Sequence, residues 1–202
     1  MNDYLIKNTA YEPDYSSQTL KEIYDYIQTI GHKTDKGTTH SYIESYEKLL
    51  EPYRNLPINL FEIGANFGWS LSLWRKYFNK AKIYSIDNRN ALEFNSDVNV
   101  VFGDIKDPNI ANIHFAGIDF DIIIDDGSHI LNDQVETFKL YFPKLKKGGI
   151  YIIEDVQWLD TCSWDTKVIE GDVLKALDPS VEVIDLRKIN NRWDDVLMIY
   201  RK

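Results

Sequence analysis

Two hundred and two residues suit one domain, with at most a small appendage. With 44% hydrophobic and 27% charged residues the composition is that of an ordinary globule, and a formal charge of −9 disfavours a nucleic-acid partner, because an acidic surface repels a polyphosphate. The single cysteine, Cys162, excludes an internal disulfide and a cysteine-rich metal site, and is expected to be a small buried hydrophobe.

The opening stretch MNDYLIKNTAYEPDY lacks a basic segment followed by an apolar one, and no apolar run reaches the roughly 18 residues of a membrane span, so a cytoplasmic protein is expected. Ser16 or Ser17 can cap a helix whose apolar positions are Leu20, Ile23, Tyr24, Ile27 and Ile30, with Gly31 as its stop. Thr38 to Tyr53 reads as a second helix, with Tyr42, Tyr46, Leu49 and Leu50 on one side. Pro57 then separates a front piece, residues 1–55, from a main body, residues 56–202. In the body, strand signals at Asn59–Gly64, Lys82–Ile86, Val98–Phe102, Phe120–Ile124 and Gly149–Ile153 alternate with helical stretches at Ser70–Phe78 and Asp133–Tyr141 and shorter ones near Ala91 and Pro108. Short Ile- and Val-rich runs separated by helices predict an α/β fold with a parallel sheet covered on both faces. Val181–Leu186 and Val196–Tyr200 are joined by RKINNRWDD, too short for a helical crossover, and are expected to pair antiparallel. The sheet predicted is five parallel strands plus a C-terminal antiparallel hairpin.

In such a sheet, ligands bind beyond the carboxyl ends of the strands. The first strand runs into Glu62-Ile63-Gly64-Ala65-Asn66-Phe67-Gly68, where glycine lets the backbone approach a ligand closely. The spacing fits neither a P-loop nor the dinucleotide fingerprint, since Asn66 stands where the latter has glycine, which argues against a nicotinamide oxidoreductase. An acid before the turn suits a positively charged cofactor such as S-adenosylmethionine. Asp87, nineteen residues after Gly68, is placed to accept from ribose hydroxyls, with Asn88 beside it; Gly103-Asp104 ends the third strand and can meet an adenine amino group. Each acid alone also reads as a helix cap, but all five strands end in one. The cofactor set on this reading is Glu62, Gly64, Asn66, Gly68, Ser70, Asp87, Asn88, Gly103, Asp104 and Asp125. Carboxylates at neighbouring strand ends, Asp126 with Glu154 and Asp155, repel one another unless protons or a cation intervene, and hard oxygen ligands favour Mg²⁺, Mn²⁺ or Ca²⁺ over Zn²⁺. His129, three residues past Asp126, is a candidate general base. Trp158 and Trp164, past the fifth strand, are placed to meet an acceptor.

From Thr34 to the end, the motifs TDKGTTHSY, FEIGANFGWSLSLW, IYSIDN, DFDIIIDDGSH, FPKLKKGGIYIIEDVQ and RWDDVLMI resemble class I S-adenosylmethionine-dependent methyltransferases. More narrowly, they resemble the metal-dependent sugar O-methyltransferases of the macrocin and mycinamicin type. The resemblance implies a Rossmann-like sheet, a metal held by Asp126, Glu154 and Asp155, catalytic His129 and Asp126, and Lys36, His40 and Tyr42 closing the cofactor pocket. It implies an acceptor sugar that is free, nucleotide-linked or part of a glycan or natural product, methylated at a hydroxyl. A catechol-type or other small-molecule O-methyltransferase stays open as the alternative, as does a methyltransferase domain of a larger glycan-building protein. The family's larger members carry an extra N-terminal domain and a longer lid, so a homo-oligomer built through those parts is left open.

Overall fold

A computed structural model describes residues 14–93 and 97–202; the opening stretch read above for a leader lies outside the described residues through residue 13. Leu20, Ile23, Tyr24 and Ile27 form the buried stripe of α1 (Leu20–Thr29). Its cap is Thr19 rather than Ser16 or Ser17. Glu22 sits three residues on, so hydroxyl and carboxylate satisfy each other's backbone donors in a capping box. The second helix, α2 (Ile43–Leu50), is shorter than the sequence suggested. The carbonyls of Asp35 and Lys36 capture the amides of Thr38, His40 and Tyr42 in successive turns, so helix cannot start before Ile43. It gives way to a 3-10 turn at Glu51–Tyr53, where Pro52 ends regular α-helix.

The body follows the expected alternation: β1 (Asn59–Ile63), α3 (Trp69–Tyr77), β2 (Lys82–Asp87), β3 (Val98–Phe102), α4 (Pro108–His114), β4 (Phe120–Asp125), α5 (Leu131–Tyr141), β5 (Leu145–Ile153), α6 (Glu170–Lys175), β6 (Glu182–Asp185) and β7 (Val196–Arg201). The strand β5 begins four residues earlier than its apolar run, at Leu145. The six-residue α6 offers too little apolar periodicity to be read from sequence. No helix forms around Ala91 among the described residues, because Asp87 turns back on the backbone and accepts from the Arg89 amide at 2.7 Å, competing with a helical start.

The sheet order is β3-β2-β1-β4-β5-β7-β6. The first five strands in that order pair parallel, and β7 runs antiparallel between β5 and β6. This is the parallel sheet with antiparallel C-terminal hairpin that the sequence predicts; the second hairpin strand, the more apolar one, takes the inner place. Alternation along the strands divides the core. Leu60, Ile122, Ile124, Ile150 and Ile152 face α1, α2 and α3, while Phe61, Ile63, Ile123, Tyr151 and Ile153 face α4, α5 and α6. The described part of the front segment thus packs into the same core as one face of the sheet. Among the described residues no helix is long and apolar enough to cross a membrane.

Candidate active site

Strand register assembles the site. Ile63 pairs with Ile86 and with Asp125, and Asp125 with Ile153, so the glycine turn, Asp87, Asp126 and Glu154 emerge along one edge. Backbone bonds fix that edge beyond the strands: Gly64 N–H to Ile86 O at 2.9 Å, Asp126 N–H to Ile63 O at 2.9 Å, and Glu154 N–H to Asp125 O at 3.0 Å. Gly64 sits at φ +92°, and a Cβ there would come within 2.0 Å of the Asp126 carbonyl oxygen. Only glycine fits so close an approach of two strand ends.

A cleft of about 1020 Å³ opens over this edge. Gly64, Asn66, Ser70, Asp87, Asn88, Gly103 and Asp104 of the predicted cofactor set line it, as do Asp126 and His129. Asp87 organises the turn, accepting from the amides of Ala65 (2.9 Å) and Asn66 (2.7 Å). Glu62 and Asp125 do not line the cleft. Glu62 lies buried behind the turn, accepting from Ser70 Oγ at 2.8 Å and Trp74 Nε1 at 3.1 Å. Alternation sends Asp125 to the opposite face, where Thr137 and Tyr151 donate to it. Gly68, at φ +80°, starts α3 below the lining. Residues not foreseen also line the cleft: the stacked pair Phe67 and Trp69, with ring centroids 4.8 Å apart, and Lys106, which bridges Asp133 at 2.7 Å. The two aromatics flank Gly68 in sequence, a signal that could have marked them.

The acidic cluster differs from the sequence expectation in one respect. Asp126, His129 and Asp155 each offer a ligand atom within 4.8 Å of the others, whereas Glu154 is turned to a fixed cation. Lys36, fully buried, places its ammonium 2.6 Å from Asp126 Oδ2 and 2.6 Å from Glu154 Oε1, with Glu62 at 3.8 Å. Tyr46 OH also donates to Glu154. Burial opposes the charge on Lys36, but the three carboxylates outweigh it and hold the ammonium well above the ordinary lysine range. One ammonium does not balance three carboxylates: burial, with Asp126 adding repulsion, pushes the Glu154 carboxyl well up. Asp155 is raised for the same two reasons, and its Oδ1 accepts from Tyr42 OH at 2.6 Å. His129 Nε2 lies 3.6 Å from Asp155 Oδ2 and 3.8 Å from Asp126 Oδ1. His129 and Asp155 both hold left-handed backbone, φ +57° and +56°, a conformation that costs non-glycine residues energy and gathers at working sites. His40 and Tyr42 stack 4.8 Å apart beside Asp155, on the acidic cluster rather than in the cleft lining. Cys162 corrects an expectation: it is exposed, because it lies in the irregular segment after β5 instead of in a core element.

Burial raises the Glu62 carboxyl to about 7, against the pull of Lys36. The folded state therefore favours protonated Glu62. That contribution is complete below about pH 4.5 and is lost as pH rises through about 7. Glu62→Gln mimics the protonated group, so its unfolding free energy is expected to fall less than wild type between about pH 5 and pH 8, by up to roughly 3 kcal/mol. Urea unfolding at the two pH values measures this, and parallel losses in both proteins would refute it.

No protein-family model matches the chain. Over 170 residues it is 33% identical to mycinamicin VI 2''-O-methyltransferase of Micromonospora griseorubida, covering 76% of this chain and 42% of that protein. Over 135 residues it is 35% identical to 8-demethyl-8-alpha-L-rhamnosyl tetracenomycin-C 2'-O-methyltransferase of Streptomyces olivaceus, covering 62% and 36%. Among solved structures it superposes on the MycE methyltransferase from the mycinamycin biosynthetic pathway, in complex with Mg, SAH and mycinamycin VI, with a TM-score of 0.68 at 25% identity over 95% of this chain and 55% of that one. The chain has the class I methyltransferase fold. This methyltransferase fold is shared at lower identity with the O-methyltransferase from Bacillus cereus, TM-score 0.61 at 18%, over 96% of this chain and 94% of that one. The chain spans well under half the length of the two curated relatives, 42% and 36%.

Proposed function

We propose that this methyltransferase moves the methyl group of S-adenosylmethionine to a hydroxyl of a sugar-containing acceptor, at a divalent-cation centre beside His129. The observation that carries this is the meeting of Asp126, His129 and Asp155 within 4.8 Å at the edge of the cleft. Sugar O-methyltransferase relatives support the acceptor class. Bound cofactor supplies a sulfonium methyl, an electrophile needing only an aligned oxygen nucleophile. Gly64, Asn66, Ser70, Asp87, Asn88, Gly103 and Asp104 would hold it, with the segment through residue 55 as a lid and residues 56–202 as the transferase body.

The residues fit a hard divalent ion. Asp126 and Asp155 present oxygens at the cleft edge, and Lys36 with Tyr46 occupies Glu154 behind them. An ion there would supply charge that steadies the developing alkoxide. His129 would remove the acceptor proton, its Nε2 standing 3.6 Å from Asp155 Oδ2 and 3.8 Å from Asp126 Oδ1 at the cleft edge. Tyr42 and Lys36 keep those carboxylates from swinging away.

Methyl transfer from S-adenosylmethionine to a panel of deoxyglycosides, with Mg²⁺ and with EDTA, tests this. Turnover is expected with Mg²⁺, to vanish in EDTA and to return on adding the ion. Undiminished turnover in EDTA would count against the ion, and transfer to catechols alone would count against the sugar.

A further inference from the structure

Three tryptophans converge outside the cleft. Trp158 and Trp164 belong to the segment after β5, and Trp193 to the β6–β7 turn, far apart in sequence; yet the ring of Trp158 lies 6.4 Å from Trp164 and 5.6 Å from Trp193. Trp164 is 81% exposed and Trp193 51%. Indoles that left water for packing would not stand so open, and a clustered apolar surface of this kind marks a binding face.

The support beneath them is fixed. The Trp158 carbonyl accepts from Gly171 N–H at 3.0 Å, and a Cβ on Gly171 would lie 2.0 Å from the Leu159 carbonyl, so α6 is wedged directly against this segment. Ser163, buried, ties the loop's far side through Asp165 and its own amide to Val168 O. Arg187 clamps Asp160 by a two-pronged bridge, 2.9 and 2.8 Å, joining the loop to the end of β6. Tyr42 ties the segment that carries Trp193 to the acidic cluster. Tyr42 OH lies 2.6 Å from Asp155 Oδ1 and 3.3 Å from the carbonyl of Asp194, the residue after Trp193; Trp158 follows Asp155 by three positions.

Resting on the sugar O-methyltransferase reading, we infer that Trp158, Trp164 and Trp193 form the acceptor subsite, on which the apolar C–H face of a deoxysugar ring stacks. A 6-deoxyhexose presents such a face together with a methyl group, while its hydroxyl edge stays free to reach Asp126 and Asp155. Indole gives the largest flat face of any side chain, and the negative potential of its π-system over that face suits polarised C–H groups.

Titrating wild type, Trp164→Ala, Trp193→Ala and Trp164→Phe with methyl α-L-rhamnopyranoside, followed by indole fluorescence and by KM for methyl transfer, tests the inference. Each Ala variant is expected to weaken the glycoside about tenfold, with Trp164→Phe recovering most of the loss, while S-adenosylhomocysteine affinity by calorimetry stays within about twofold. Wild-type transfer with unchanged Kd and KM in both Ala variants would overturn the platform and leave the sugar reading standing. Absence of transfer to every glycoside, with S-adenosylhomocysteine still bound, would overturn both. A wild-type dimer in sedimentation that Trp164→Ala dissolves would make the face a subunit contact and overturn the inference.

Discussion

Lys36→Met is expected to cost about 3–5 kcal/mol of unfolding free energy, more than the loss of any one of the carboxylates it serves. Lys36 is the only cation within salt-bridge reach of Glu154 among the described residues, and its ammonium touches Asp126 as well. Methionine fills the volume but strands the buried carboxylates of Glu154 and Glu62 without their cation. The double variant Lys36→Met with Glu154→Gln should lose less than Lys36→Met alone, since the second change removes the stranded charge. A double-mutant cycle by urea unfolding reads this coupling directly. Additive losses would mean that Lys36 and Glu154 act independently.

His129→Asn is expected to lower kcat by about 10²–10⁴ while S-adenosylhomocysteine binding stays within about twofold. Asparagine is the informative choice. His129 holds φ +57°, a region asparagine tolerates better than alanine, so the loss reports lost proton transfer instead of a strained turn. Asparagine is also close enough in size to keep the cleft edge filled. Calorimetry for the cofactor product and initial rates for methyl transfer separate the two effects. Turnover within about tenfold of wild type would take His129 out of the proton-transfer role.

Much of the fold was legible in the chain because strand order and strand polarity follow from local signals. Alternating Ile- and Val-rich runs with intervening helices require a parallel sheet, and the short RKINNRWDD link allows only an antiparallel hairpin. Once the strands align, the acids at their ends share an edge, which is why Asp87, Asp104 and Asp126 line the cleft as expected. Alternation within the strand was legible too, and it turns Asp125, read as part of the cofactor set, away from the cleft that Asp126 lines. Lys36 is the instructive failure. The Thr-Asp-Lys-Gly element marked it, but its direction depends on contacts 90 and 118 residues away, and no local pattern encodes those. The acid cluster was expected to need a divalent ion to relieve its repulsion, whereas the chain supplies part of that charge itself. The tryptophan face illustrates the same limit, since Trp193 joins Trp158 only through the docking of β7 between β5 and β6.

The reaction centre is the claim on which the rest depends, and anomalous diffraction from crystals grown with Mn²⁺ and S-adenosylhomocysteine addresses it most directly. A manganese peak between the carboxylates of Asp126 and Asp155, beside His129 and with Lys36 still seated on Glu154, is the expected result. Saturating manganese with no peak at those two carboxylates would contradict it.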